Sequence, residues 1–247
     1  MTMFKDIIYT NTEAFKRLGT TIKENFLVLI VMMLGLFAFD YVTNLIAGAL
    51  VITLGGGFTT MLISLFMYIL MLLKFSLVAS LLSRAVEGEK ISLNSIFMGY
   101  KYYLTKLVNY VFITYLFGLV LDMVFSSGSF TNPYQVDHSL LYAKMLVNFI
   151  VVFIFNASFE TLYQTGNNSI AIFTYGAKFF FNNFLQWLFA AILLVLALNS
   201  DIFASGIILK DLVSYVLMPI IFIYRGHLFK ILDNSSMRMR EFRRRMD

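Results

Sequence analysis

Residues 26–50 read FLVLIVMMLGLFAFDYVTNLIAGAL, a run of 25 positions with one ionisable side chain, Asp40. As a helix rising 1.5 Å per residue it measures about 37 Å, enough to cross the ~30 Å hydrocarbon layer of a bilayer. A surface helix of a soluble domain would carry a charged face, and this run has none. The whole chain agrees with that reading: 60% of its 247 residues are apolar, 17% aromatic and only 13% charged. Soluble globular proteins run about 45–50% apolar and about 25% charged. With a mean hydropathy of +0.80, a solvated enzyme, a disordered tail and a coiled coil are all excluded.

Five similar stretches follow, at Phe58 to Leu82, Leu107 to Phe125, Leu140 to Leu162, Phe184 to Ser205 and Ile207 to Leu232. The expected fold is therefore an all-α integral membrane protein with six transmembrane helices in three hairpins. Gly55, Gly56 and Gly57 make a tight turn, Ser126 to Ser139 a longer polar loop, and Asn199 to Asp201 a short turn. Sixteen of the nineteen basic residues fall before the first span, between spans two and three, before span five or near the end of the chain. Lys and Arg near span ends stay preferentially in the cytoplasm, so both termini are expected there, in a multi-pass protein of the plasma membrane. The charged leader shows no small-x-small cleavage site and is expected to be retained. No linker of domain size interrupts the chain, which reads as one membrane domain.

The same local text precedes spans one, three and five. Asn11 is followed by Asn25-Phe26, Asn94 by Asn109-Tyr110, and Asn168 by Asn183-Phe184, at separations of 14, 15 and 15 residues. Between the paired asparagines apolar residues recur at helical spacing, for example Phe15, Leu18 and Ile22, or Ile170, Phe173, Ala177 and Phe181. This pattern predicts an amphipathic helix lying in the cytoplasmic interface before each hairpin. The first Asn of each pair would cap that helix, and the second would sit at the elbow where the chain enters the membrane. Three repeat units result, about 9–83, 92–163 and 167–232, followed by a basic cytoplasmic tail, 233–247.

The segment Arg84-Ala-Val-Glu-Gly-Glu-Lys-Ile-Ser-Leu-Asn-Ser-Ile runs from an apolar span through a short charged turn into a new amphipathic helix, and it has a looser echo at Asn167 to Phe184. In this the chain resembles uncharacterised prokaryotic multi-pass membrane proteins similar to the membrane domain of glycerophosphodiester phosphodiesterases. The resemblance implies a polytopic helical fold. It brings no catalytic residue, because no phosphodiesterase domain is present.

Ionisable side chains deep in a span cost about 2.5–3.5 kcal/mol each and so attract attention. Asp40 lies roughly 21 Å and Lys74 roughly 15 Å above the inner boundary, a difference that a lysine stem spans by snorkelling. They are expected to pair across the first hairpin. Asp122 and Lys144 form the analogous pair of the second hairpin, and Asp201 with Lys210 or Asp211 that of the third. Asn44, Asn148, Asn156, Ser158 and Glu160 read as interhelical hydrogen-bond partners. Ser76, Ala79, Ser80 and Ser83 make a close-packing face, and Pro219 is expected to kink or interrupt span six. Trp187 and Tyr100, Tyr102, Tyr103 and Tyr110 fit an aromatic belt at the inner interface. Arg238, Arg240, Arg243, Arg244 and Arg245 are expected to hold anionic lipid headgroups rather than nucleic acid.

The chain has no cysteine, and His138 and His227 stand far apart without acidic neighbours at ligand spacing, so no metal or cofactor is expected. It also lacks the G-x-x-x-x-G-K-[ST], G-x-S-x-G and H-E-x-x-H patterns, which argues against an enzyme. Two function classes follow. One is a non-catalytic membrane protein that organises lipids or partner proteins, including a second copy of itself. The other is a small transporter or permease-like subunit that uses the buried Asp40/Lys74 pair.

Overall fold

A computed structural model describes residues 3–54, 57–126, 138–165, 168–198, 213–236 and 239–240. The principal elements are all helical: α1 (Met3–Leu54), α2 (Gly57–Glu87), α3 (Leu93–Ser126), α4 (His138–Ile154), α5 (Ser158–Gln164), α6 (Ser169–Asn182), α7 (Phe184–Leu198), a π-helical turn over Val213–Leu217, and α8 (Met218–Asp233). Among the described residues there is no strand. Among the described residues five helices are long and apolar enough to cross a membrane, or up to six spans if the pair α6 and α7 counts as one. Of the expected fifth span, Phe184 to Ser205, the described part is α7, 15 residues ending at Leu198. The turn at Gly55 and Gly56, most of the loop after Ser126, and Asp201, Lys210 and Asp211 lie outside the described residues.

The expected elbows and caps meet different fates. α1 runs for 52 residues but breaks its geometry at Asn25, where φ is −118° and ψ is 17°. The buried Asn25 amide holds that bend from two sides. Its Nδ2 donates to the Thr21 carbonyl at 3.2 Å and its Oδ1 accepts the Ile91 N–H at 2.8 Å, tying the kink to the turn between α2 and α3. Asn183 is the break between α6 and α7, whereas α3 continues unbroken through Asn109. Asn168 caps α6, its Oδ1 accepting the Ala171 N–H at 3.1 Å.

Asn94 does not cap its helix. Ser92 does, accepting the Ser95 N–H at 3.1 Å while Ser95 Oγ accepts the Ser92 N–H at 3.3 Å, a reciprocal capping box that leaves Asn94 inside the first turn. Asn11 is not a cap either, because α1 already contains Met3 and no breaker separates the two. Just before α3, α2 ends at Glu87 and Gly88 takes φ +79°, the left-handed conformation that closes a helix and that only glycine adopts without strain.

The chain forms two compact units, one from Met1–Leu104 with Asn183–Asp247 and one from Thr105–Asn182. In the first unit α8 is central and packs against α1, α2 and α7. Its residues Ile223 to Phe229 are buried on every side, as befits a helix enclosed by others. The face that α1 buries before its kink is Asp6, Thr10, Ala14, Leu18, Thr21 and Asn25, spaced three or four apart. This differs from the expected Phe15–Leu18–Ile22 stripe: Phe15 stays 45% exposed. Small and hydroxyl-bearing residues let helices approach closely and hydrogen-bond across the seam. The Ser76, Ala79, Ser80 and Ser83 face of α2 is likewise buried, and Ser80 Oγ donates to the Ile96 carbonyl at 2.9 Å.

In the second unit α5 packs on α6. A Cβ at Gly176 would lie 3.0 Å from Ser158 Cα and 3.1 Å from its N, so a side chain there would force the helices apart. Aromatic rings pack in the same unit, with Tyr110 stacked on Phe173 at 4.8 Å and Phe153 edge-on to Phe180 at 5.0 Å.

Candidate functional site

The first unit holds two polar centres. At one, α2 brings the Lys74 ammonium onto the Asp40 carboxylate of α1, and Tyr215 donates its hydroxyl to the same oxygen, Oδ2, at 2.7 Å. Tyr215 sits in the π-helical turn directly ahead of α8, with Pro219 in the first turn of that helix. Proline has no N–H to give, and the wider turn before it carries the residues that would otherwise form regular helix. The Lys74 Nζ also stands 5.8 Å from the Tyr215 ring, and Phe37 meets that ring edge-on at 5.2 Å. Lys74 and Asp40 are 24% and 21% exposed, so the cluster is half-buried between α1, α2 and the π turn.

The other centre lies on the buried stripe of α1. Arg240 grips Asp6 with both arms of its guanidinium, Nε to Oδ1 and Nη2 to Oδ2, each at 2.8 Å. Gln186 Nε2 donates to the same carboxylate at 2.9 Å, and Arg240 Nη1 donates to the Ser235 carbonyl. Asp6 is fully buried and Arg240 is 3% exposed. A planar fork matched to a carboxylate, with its remaining oxygens and N–H groups occupied, is the arrangement in which a buried ion pair holds its place. The structure places Arg240, expected at the lipid headgroups, against Asp6 and Ser235, enclosed within the first unit. Arg238, Arg243, Arg244 and Arg245 lie outside the described residues.

In the same unit α8 carries three further polar side chains inside the protein. Tyr224 donates to Asn11 Oδ1 and stacks on Phe15, while Asn11 Nδ2 donates to the carbonyls of Ile7 and Gln186. Arg225, with no exposed surface, donates to the Ala190 carbonyl at 3.0 Å and lies 4.8 Å over the Trp187 ring. Trp187 is itself fully buried, and so belongs to this core and not to an interfacial belt. His227 Nε2 meets Thr21 Oγ1 at 2.8 Å, and among the described residues its Nδ1 has no hydrogen-bond partner.

The other expected site residues are dispersed. Lys144 lies on α4, and the side chain of its expected partner Asp122 is outside the described residues. Asn156, Ser158 and Glu160 are buried in the second unit, and Asn44 and Asn148 are exposed. Sequence reasoning missed Asp6, Gln186, Arg225 and the use made of Arg240. The available signal was the spacing of Asp6, Thr10, Ala14, Leu18 and Thr21, a small-and-polar stripe opposite the charged face. Nothing local marks Arg225 or Arg240 as buried, since an arginine beside a span end reads as a headgroup contact.

These features define a class: a helical protein with helices long and apolar enough for a membrane and with several charged side chains held between helices. No group of three His, Cys, Asp or Glu that could hold a metal occurs among the described residues. No protein family, curated protein or solved structure matches the chain.

Proposed function

We propose that this chain is a non-catalytic, multi-pass plasma-membrane protein that organises lipids or partner proteins, with both termini in the cytoplasm. On this reading it spans the bilayer six times in three repeated units, each led by an interfacial helix. The observation that carries it is the local pairing of charge in the first unit. Asp6 is answered by Arg240 and Gln186, Asp40 by Lys74 and Tyr215, and Arg225 by a carbonyl and an indole face. Charges so answered fix helices to one another, which is what a scaffold needs. The bend at Asn25 and the break at Asn183 support the repeat, since both stand at the second asparagine of a pair.

A second reading, a small transporter or permease-like subunit, draws on one observation. The Asp40–Lys74–Tyr215 cluster depends on a π turn beside a proline, an irregularity often found at working sites in membrane helices. Purification in lipid nanodiscs, with identification of bound lipid and protein, separates the two. Enrichment of particular lipids or of a non-enzymatic partner supports the scaffold. Recovery of a stoichiometric ATPase overturns it in favour of transport. Tags at both ends that label from outside intact cells overturn the topology.

A further inference from the structure

We propose that the exposed face of α1 just before its kink, Lys16–Gly19–Thr20–Lys23, is a binding site for the headgroup of an anionic phospholipid. The inference rests on the lipid-organising reading above and gives that function a location. α1 measures about 78 Å over its 52 residues, more than twice the ~30 Å apolar layer. Part of it must therefore lie outside the hydrocarbon. The charges say which part: Lys5, Asp6, Glu13, Lys16, Arg17, Lys23 and Glu24 all precede the bend at Asn25, and only Asp40 follows it. Residues 16–24 thus reach the level of the phosphates.

A shallow, open groove lies along this face, lined by Lys16, Gly19, Thr20, Lys23 and Glu24. Lys16 and Lys23 stand two turns apart, about 10 Å along the axis, and both are exposed. Gly19 lies between them, and a Cβ built there meets nothing within 4 Å, so the helix surface is notched where a phosphate group would sit. Arg17, on the neighbouring face, is engaged by Glu13 at 3.0 Å, which leaves the two lysines as this face's cations. Glu24 at the rim opposes an anion, and its removal gives the site a test of opposite sign.

The test is a titration of delipidated full-length protein in neutral detergent with phosphatidylglycerol or phosphatidylcholine, read by native mass spectrometry. At about 1 kcal/mol per lysine near a phosphate surface, K16Q/K23Q is expected to weaken phosphatidylglycerol binding about thirty-fold. The charge-matched control K5Q/K90Q should leave it unchanged. G19L, at a position where an added Cβ meets no atom within 4 Å, should weaken binding with charge intact, while E24Q should strengthen it. Trp187 emission and gel filtration verify that each variant is folded. Equal loss in K5Q/K90Q, no loss in K16Q/K23Q or G19L, or weaker binding in E24Q overturns the site. If the wild type binds phosphatidylglycerol no better than phosphatidylcholine, the lipid-organising reading itself fails.

Discussion

Replacing Lys74 with Met keeps the length of the side chain and removes its charge, leaving the Asp40 carboxylate with the Tyr215 hydroxyl as its remaining polar partner of the pair described above. Breaking a buried pair by deleting one member costs about 3–5 kcal/mol, and an isolated carboxylate at membrane depth costs about 2.5–3.5. Because Asp40 is 21% exposed, the lower end applies, and K74M is expected to destabilise the protein by about 3 kcal/mol. D40L strands a lysine, whose long stem can carry the charge to the interface, and should cost about 2 kcal/mol. The double variant leaves neither charge to desolvate and should lie within about 1 kcal/mol of the wild type, a coupling of about 4 kcal/mol. Y215F removes a hydrogen bond to a charged group and should cost about 2 kcal/mol. Unfolding in mixed micelles by added dodecyl sulfate measures these differences. Trp187, the single tryptophan, is buried against Phe229 in the same unit and reports the transition through its emission. Additive effects of the two single changes would refute the pairing and return Asp40 and Lys74 to the list of candidates for an ion path.

Two other perturbations test the packing. R240Q leaves the fully buried Asp6 facing Gln186 alone among the pair's side-chain donors; it should cost about 3–4 kcal/mol, whereas R240K, which keeps the charge but loses the fork, should cost less. The same dodecyl sulfate titration ranks them, and equal effects would show that the two-armed geometry contributes nothing. G176A drives a Cβ to 3.0 Å from Ser158 Cα and should destabilise the second unit by about 1–3 kcal/mol. Hydrogen exchange should quicken in α5 and α6 while α8 keeps its protection; uniform change across both units would sink the prediction.

Much of the helical plan was legible beforehand because it depends on local quantities. Runs such as 26–50 are apolar over their full length, and hydrogen bonds within a helix are the one way a lone segment satisfies its backbone in lipid. The bend at Asn25 and the cap at Asn168 were likewise readable, since an asparagine side chain acts on neighbours a few residues away. The caps at Asn11 and Asn94 were misread for a related reason: Ser92 competes for the same N–H groups as Asn94, and the earlier start of α1 leaves Asn11 in its interior.

By itself, the chain's order of residues determined that it is helical and apolar enough for a membrane. Only the tertiary structure decided where its charges go. Arg240 and Asp6 are 234 residues apart in sequence, and no periodicity links them. Their meeting is set by α8 passing beneath the small-residue stripe of α1, where a guanidinium finds a carboxylate instead of water. An arginine's fate is a difference between two environments, solvated phosphate or enclosed carboxylate, and that difference exists once the helices have packed.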